Sequence, residues 1–163
     1  MKIEQNHIPK FVVATEEEKK RLVPESCWNV CIVTGIGYAN VFRSLQDVPR
    51  STPLVNIGYA GSNKLPIGSI RRISVSRNYH PNCVFQNDPE YVIKPTADDP
   101  SSVPCYTSGD FVTETDITEP VVFDMELYAI FAMGFTSITA IKVITDNLSA
   151  EQYEQNTGGT QND

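Results

Sequence analysis

Short apolar, β-branched runs that alternate with helical or turn-like segments constrain this chain more than any other feature of its sequence. Residues 11–14 read as a strand, and residues 15–22 open a helix behind it. Residues 30–34 form a second run, stopped at Gly35 and Gly37 and followed by a helix-like stretch over 39–45. Residues 54–57 form a third, stopped by glycine at Gly58 and Gly61. In 70–76, Ile73 and Val75 alternate with Arg72 and Ser74, the period-two pattern of a half-buried strand. Proline, aspartate and serine crowd residues 81–104, which predicts loop. Order returns at 121–123, continues through a helical pattern over 125–133 with Gly134 at its C′ position, and ends in a strand over 138–144.

Strands alternating with helices predict a single α/β domain over residues 1–155, with a mostly parallel or mixed central sheet flanked by helices. The polar tail, 156–163, reads as disordered. A chain of 163 residues suffices for one core, because a domain near that size buries about 68–70% of the surface its unfolded form exposes. In such sheets ligands bind beyond the carboxyl ends of the strands. Glu18, the segment 58–61, Glu126 and Asp146 all follow predicted strands, so this topology can gather them at one rim.

Charge narrows the partners. The net charge is −7 and no cluster of basic residues appears, whereas nucleic-acid affinity rests on clustered Lys and Arg. A small molecule is the better expectation. Cys27, Cys31, Cys83 and Cys105 form no CxxC pair, and His7 and His80 are the only histidines. That spacing does not suggest a zinc site, so no metal or cofactor is expected and the thiols read as reduced. The first residues lack a signal peptide's apolar stretch, and no run approaches the roughly 20 apolar residues of a membrane span. A cytoplasmic protein is the expectation.

The ordered motifs resemble those of the nucleoside phosphorylase and nucleosidase superfamily, and most of all its methylthioadenosine/S-adenosylhomocysteine nucleosidases. Residues 14–18 (ATEEE) resemble the strand-end segment that carries the family's catalytic base, and 56–61 (NIGYAG) its glycine turn. The Tyr79-His80 pair, Ser108-Gly109-Asp110-Phe111-Val112, Phe123-Asp124-Met125-Glu126 and Thr145-Asp146 follow in the family's order. The resemblance implies cleavage of a base–ribose bond, through an oxocarbenium-like sugar that needs an acid for the leaving base and an activated nucleophile. It implies Asp146 as the acid at the purine N7, Glu18 as the base that activates water, and Glu126 as the ligand of the ribose hydroxyls. Met125 would pack on the sugar, Phe111 and Val112 would line the base pocket, and Tyr59, Ala60 and Gly61 would border the substrate. Lys142 stands where the family commonly has an arginine behind the site.

Each residue also has a plainer explanation. Thr15 and Glu18 spell a capping box, Glu16–Lys20 and Glu17–Arg21 are ordinary i,i+4 pairs, and Asp146 could cap a following helix. Glu126 is harder to explain structurally, because it sits in an apolar frame where a lone carboxylate is costly to bury. Phosphorylases of the superfamily commonly carry an arginine before the glycine turn and a serine within it; here Asn56 and Tyr59 stand there. Both favour water over phosphate as nucleophile, with Arg43, Arg71, Arg72 and Arg77 left as possible replacements. Against the family the chain is compressed between His80 and Cys105, and its final helix is reduced to a stub over 150–153. A homo-oligomer is expected, since family members often complete the pocket from a neighbouring subunit. The alternatives to a nucleosidase are a phosphorylase and a shortened, non-catalytic nucleoside binder.

Overall fold

Strand β3 (Leu54–Ser62) is the hub of the sheet. It pairs in parallel with β1 (Lys10–Val13) along one half of an edge, and antiparallel with β7 (Val122–Asp124) along the other. Its opposite edge carries β8 (Ile138–Asp146) in parallel. The computed structural model describes residues 8–81 and 87–158. Strand β2 (Cys31–Val33) extends the sheet beyond β1. Strand β4 (Ile70–Asn78) joins β8 and the two-residue β5 (Tyr91–Val92) antiparallel, and β6 (Val103–Thr107) in parallel. Since β6 also pairs in parallel with β7, the strands β3, β8, β4, β6 and β7 close a circuit. The sheet is mixed, as expected, and the circuit removes most open edges from its middle.

The helices follow from local signals. Thr15 caps α1 (Glu16–Leu22): its hydroxyl accepts from the Glu18 amide while the Glu18 carboxylate takes the Thr15 amide. Glu17 and Arg21 pair along this helix at 3.3 Å. A 3-10 segment (Glu25–Val30) then leads into β2. Helix α2 (Tyr38–Leu45) buries Val41 and Leu45 completely and packs on α4 (Leu127–Ala132). Helix α4 ends where expected, with Gly134 at C′ and φ +98°. The core joins both layers through Val12, Leu54, Ile73, Val122, Ile130 and Ile144. Each such side chain contributes about 1.5–3 kcal/mol when fully buried.

Three boundaries differ from the expectation. The glycines at 58 and 61 do not stop β3, which runs through both. A Cβ on Gly58 would lie 2.3 Å from Glu18 Oε2, and one on Gly61 would lie 2.7 Å from Asp146 Oδ2. These glycines therefore make room for carboxylates beside a continuous strand, which is a use of glycine other than a turn. The expected loop over 81–104 contains β5, a short helix α3 (Lys94–Ala97) and the start of β6. Pro95 is tolerated in the first turn of α3, whose orphan amides need no partner, and Thr96 anchors that helix by donating to the Ile73 carbonyl at 2.6 Å. Finally, α5 (Ala150–Thr157) extends past the expected stub, so Asn156 and Thr157 of the expected tail are helical, while residues 159–163 lie outside the described residues. Cys83 and His7 also lie outside them. Among the described residues no helix is long and apolar enough to cross a membrane.

Candidate active site

The ends of β1, β3, β7 and β8 meet around a cleft of about 680 Å3, its mouth included. Its walls hold Glu18, Tyr59, Ala60, Gly61, Phe111, Val112, Met125, Glu126 and Asp146, all expected from the sequence. Lys142 is the exception. It does not line the cleft but lies behind it, 1% exposed, with Nζ 2.9 Å from Asp124 Oδ2.

Glu18 is held from two elements. Its Oε1 accepts from the Ala14 and Thr15 amides at 3.1 and 3.0 Å, and its Oε2 accepts from the Tyr59 amide at 2.8 Å. The capping box and the site are thus one structure: the helix cap fixes the carboxylate and β3 receives it. Burial raises its pKa, opposed by the positive Lys142 and by the backbone amides.

Glu126 stands at the N-cap of α4, and its Oε2 accepts from the Gly37 amide at 2.9 Å. Its pKa is pushed up to about 8, first by burial and then by the negative Asp124, against the pull of Lys142. Asp146 ends β8 fully buried. Its Oδ1 accepts from the Thr145 hydroxyl at 2.9 Å and its Oδ2 from the Leu148 amide at 3.0 Å. Burial raises its pKa, with those bonds acting in the opposite direction.

Asp124 organises the floor. Besides Lys142 it receives the Thr107 hydroxyl at 2.5 Å and the Leu127 amide at 3.0 Å, tying β6, β7, β8 and the start of α4 together. Burial pulls the Lys142 pKa down, but Asp124, Cys105 and Glu126 outweigh it and the ammonium stays charged. Sequence reasoning quoted Asp124 without a role, and the signal it left was its place in an apolar run, two residues before Glu126. Leu148 and Tyr153 were also missed; Tyr153 reaches the cleft from α5 and meets Phe111 edge-on, ring centroids 5.7 Å apart. His80 pairs with Asp88 at 2.5 Å outside the cleft. The arginines that might have held phosphate are elsewhere: Arg77 binds Glu90 and Tyr106, and neither it nor Arg43, Arg71 or Arg72 lines the cleft. Asn56 donates to the Val12 carbonyl at 3.1 Å.

No protein-family model matches the sequence, and no curated protein matches it. Solved structures do. The S-adenosylhomocysteine nucleosidase of Streptococcus pyogenes, in complex with 5-methylthiotubericidin, aligns over 96% of this chain and 92% of its own at 13% identity, with TM-score 0.71. The 5′-methylthioadenosine/S-adenosylhomocysteine nucleosidase of S. pneumoniae, with a transition-state inhibitor, aligns over 90% of each chain at 18% identity, with TM-score 0.70. Futalosine hydrolase of Helicobacter pylori aligns over 93% of this chain and 91% of its own at 13% identity, with TM-score 0.67. The chain therefore has the fold of these nucleosidases and of futalosine hydrolase.

Proposed function

We propose that this protein hydrolyses the N-glycosidic bond of a purine nucleoside. The observation that carries the reading is the charge of the cleft: Glu18, Glu126 and Asp146 converge there, and among its described lining residues none is Lys, Arg or His. With no cation on its described walls, the cleft offers a phosphate dianion no counter-charge and leaves water as the nucleophile. Hydrolysis then breaks the bond from C1′ to the base nitrogen. Asp146, whose burial favours the protonated form, donates to the purine N7 as the base leaves. Glu18 takes a proton from water as its oxygen adds to C1′. Glu126 receives the ribose hydroxyls, Met125 packs under the sugar, and Phe111, Val112 and Tyr153 face the base. Lys142 acts through Asp124 and by its field on Glu18 and Glu126, rather than by touching substrate.

Exposed apolar side chains at the mouth, Ile36 at 49% and Phe111 at 39%, support a homo-oligomer in which a second copy covers the cleft. Such a protein would serve nucleoside salvage in the cytoplasm. The deciding experiment measures free base released from a mixed purine and pyrimidine nucleoside panel, with and without phosphate. Release in both arms is expected. Release that requires phosphate makes the protein a phosphorylase, and no release in either arm refutes glycosidic cleavage.

A further inference from the structure

Leu148 is the only residue other than glycine with a positive φ among the described residues, at +63°. A leucine in the left-handed region is uncommon, because its Cβ crowds the following carbonyl. Such a conformation persists only where the surroundings impose it, and here they do so from both sides. Before it, Asp146 is locked into β8. Asn147 donates through its side chain to the Ser62 and Leu65 carbonyls, at 3.1 and 2.9 Å, and its amide binds Gln152 Oε1 at 2.8 Å. After it, Ser149 caps α5, and Asn156 ties that helix back to the Thr145 carbonyl at 2.9 Å. Three residues join β8 to α5, and Leu148 turns between Asn147 and Ser149, each of which is tied in place.

That turn has two products at the cleft. The Leu148 amide meets Asp146 Oδ2 at 3.0 Å, and the leucine side chain lines the cleft. Its Cδ2 reaches to 3.3 Å from the place a Cβ on Gly61 would take, beside Asp146 Oδ2 at 2.7 Å from the same point. Glycine would make the turn without strain but would leave the carboxyl open on that side. We infer that Leu148 is a positioning residue for Asp146: its left-handed backbone turns an amide onto the carboxyl, and its side chain walls that carboxyl in against Gly61. The inference rests on the reading of Asp146 as the acid of the site.

Conformation and packing make opposite predictions for substitutions, which gives a direct test. Glycine and asparagine accept positive φ readily, whereas valine is β-branched and resists it. The Asp146 carboxyl is followed by its 13Cγ resonance during a pH titration of Leu148→Gly, Leu148→Asn and Leu148→Val, with base release measured on the same samples. If the backbone turn positions Asp146, the first two keep the amide bond and move the midpoint only downward, as the opened side admits water. Valine loses the amide and moves the midpoint up by about one unit, the equivalent of one hydrogen bond to a charged group. Base release falls at least about ten-fold in the valine variant and by less in the other two, as expected when an acid is displaced by a fraction of an ångström. If Leu148 merely packs, valine stays closest to the wild type and asparagine and glycine depart from it; that order overturns the inference. Leu148→Ala, smaller but also averse to positive φ, gives the same comparison if valine prevents folding. The titration order needs no turnover. A wild type that releases no base but shows this order refutes glycosidic cleavage and upholds the positioning role, while an active wild type with the reverse order refutes the positioning role alone.

Discussion

Replacing Lys142 by methionine keeps the side-chain volume and removes its charge. In the native protein Nζ sits 2.9 Å from Asp124 Oδ2, with the two side chains 2% and 0% exposed. At that distance, attraction between unit charges at an effective dielectric constant of 20 is about 6 kcal/mol. Much of it is offset by the cost of taking both ions out of water, so the pair adds little net stability. Removing one partner is different, because the desolvation of Asp124 is then uncompensated, and the loss is about 3–5 kcal/mol. The Thr107 hydroxyl and Leu127 amide still reach Asp124 and soften that loss toward the lower figure. At roughly 2–4 °C per kcal/mol for a domain of this size, the melting temperature falls by about 6–20 °C. Urea unfolding at pH 7 measures the loss directly. Lys142→Met combined with Asp124→Asn removes both charges; the asparagine Oδ1 still accepts from the Leu127 amide and its Nδ2 can donate to the Thr107 hydroxyl, so the double variant recovers more than half of the stability. A loss below about 1 kcal/mol in the single variant, or a double variant no more stable than the single, would refute the reasoning.

Asp146→Asn keeps the shape of the side chain and removes its proton; base release falls by about 10²-fold or more with far-UV circular dichroism unchanged, and an equally active variant reduces Asp146 to a helix cap. Glu126 has a folded-state pKa raised from 4.5 to about 8, so the folded protein binds more protons than the unfolded chain between those values. Its contribution to stability is complete below pH 4.5 and is lost as pH rises toward 8, a change of up to about 5 kcal/mol. Denaturant midpoints from pH 5 to pH 9 should therefore fall in the wild type and stay flatter in Glu126→Gln; parallel curves contradict the assignment. Gly58→Ala places a methyl 2.3 Å from Glu18 Oε2. It should break the bond to the Tyr59 amide, slow base release by about ten-fold or more and destabilise by about 1–3 kcal/mol, and a variant with native rates means that Glu18 can retreat without consequence.

Local signals made much of the fold legible. The capping box at Thr15 and Glu18 is visible in four consecutive positions, because a helix cap involves only near neighbours in the chain. The apolar runs of β1, β3, β4 and β8 show their strand character for the same reason. Boundaries were less legible where a glycine has a distant cause: Gly58 and Gly61 read as punctuation, yet their lack of a Cβ answers to Glu18 and Asp146, which arrive from other elements. The stretch over 81–104 reads as loop because proline and aspartate dominate it, whereas the pairing of Tyr91 and Val92 with β4 is set by a strand that ends before that stretch begins.

Residue identity and order along the chain determined the α/β alternation, the acidic balance and the three carboxylates that could meet at one rim. Only the tertiary structure decided how those carboxylates are held. Whether Lys142 faces substrate or stands behind it depends on Asp124, eighteen positions earlier and on a different strand. The strain at Leu148 depends on where β8 ends and how α5 is tied back to it. The physical reason is common to both: electrostatic pairing, steric room and imposed backbone conformation act through space, between groups whose separation along the chain carries no record of their distance in the fold.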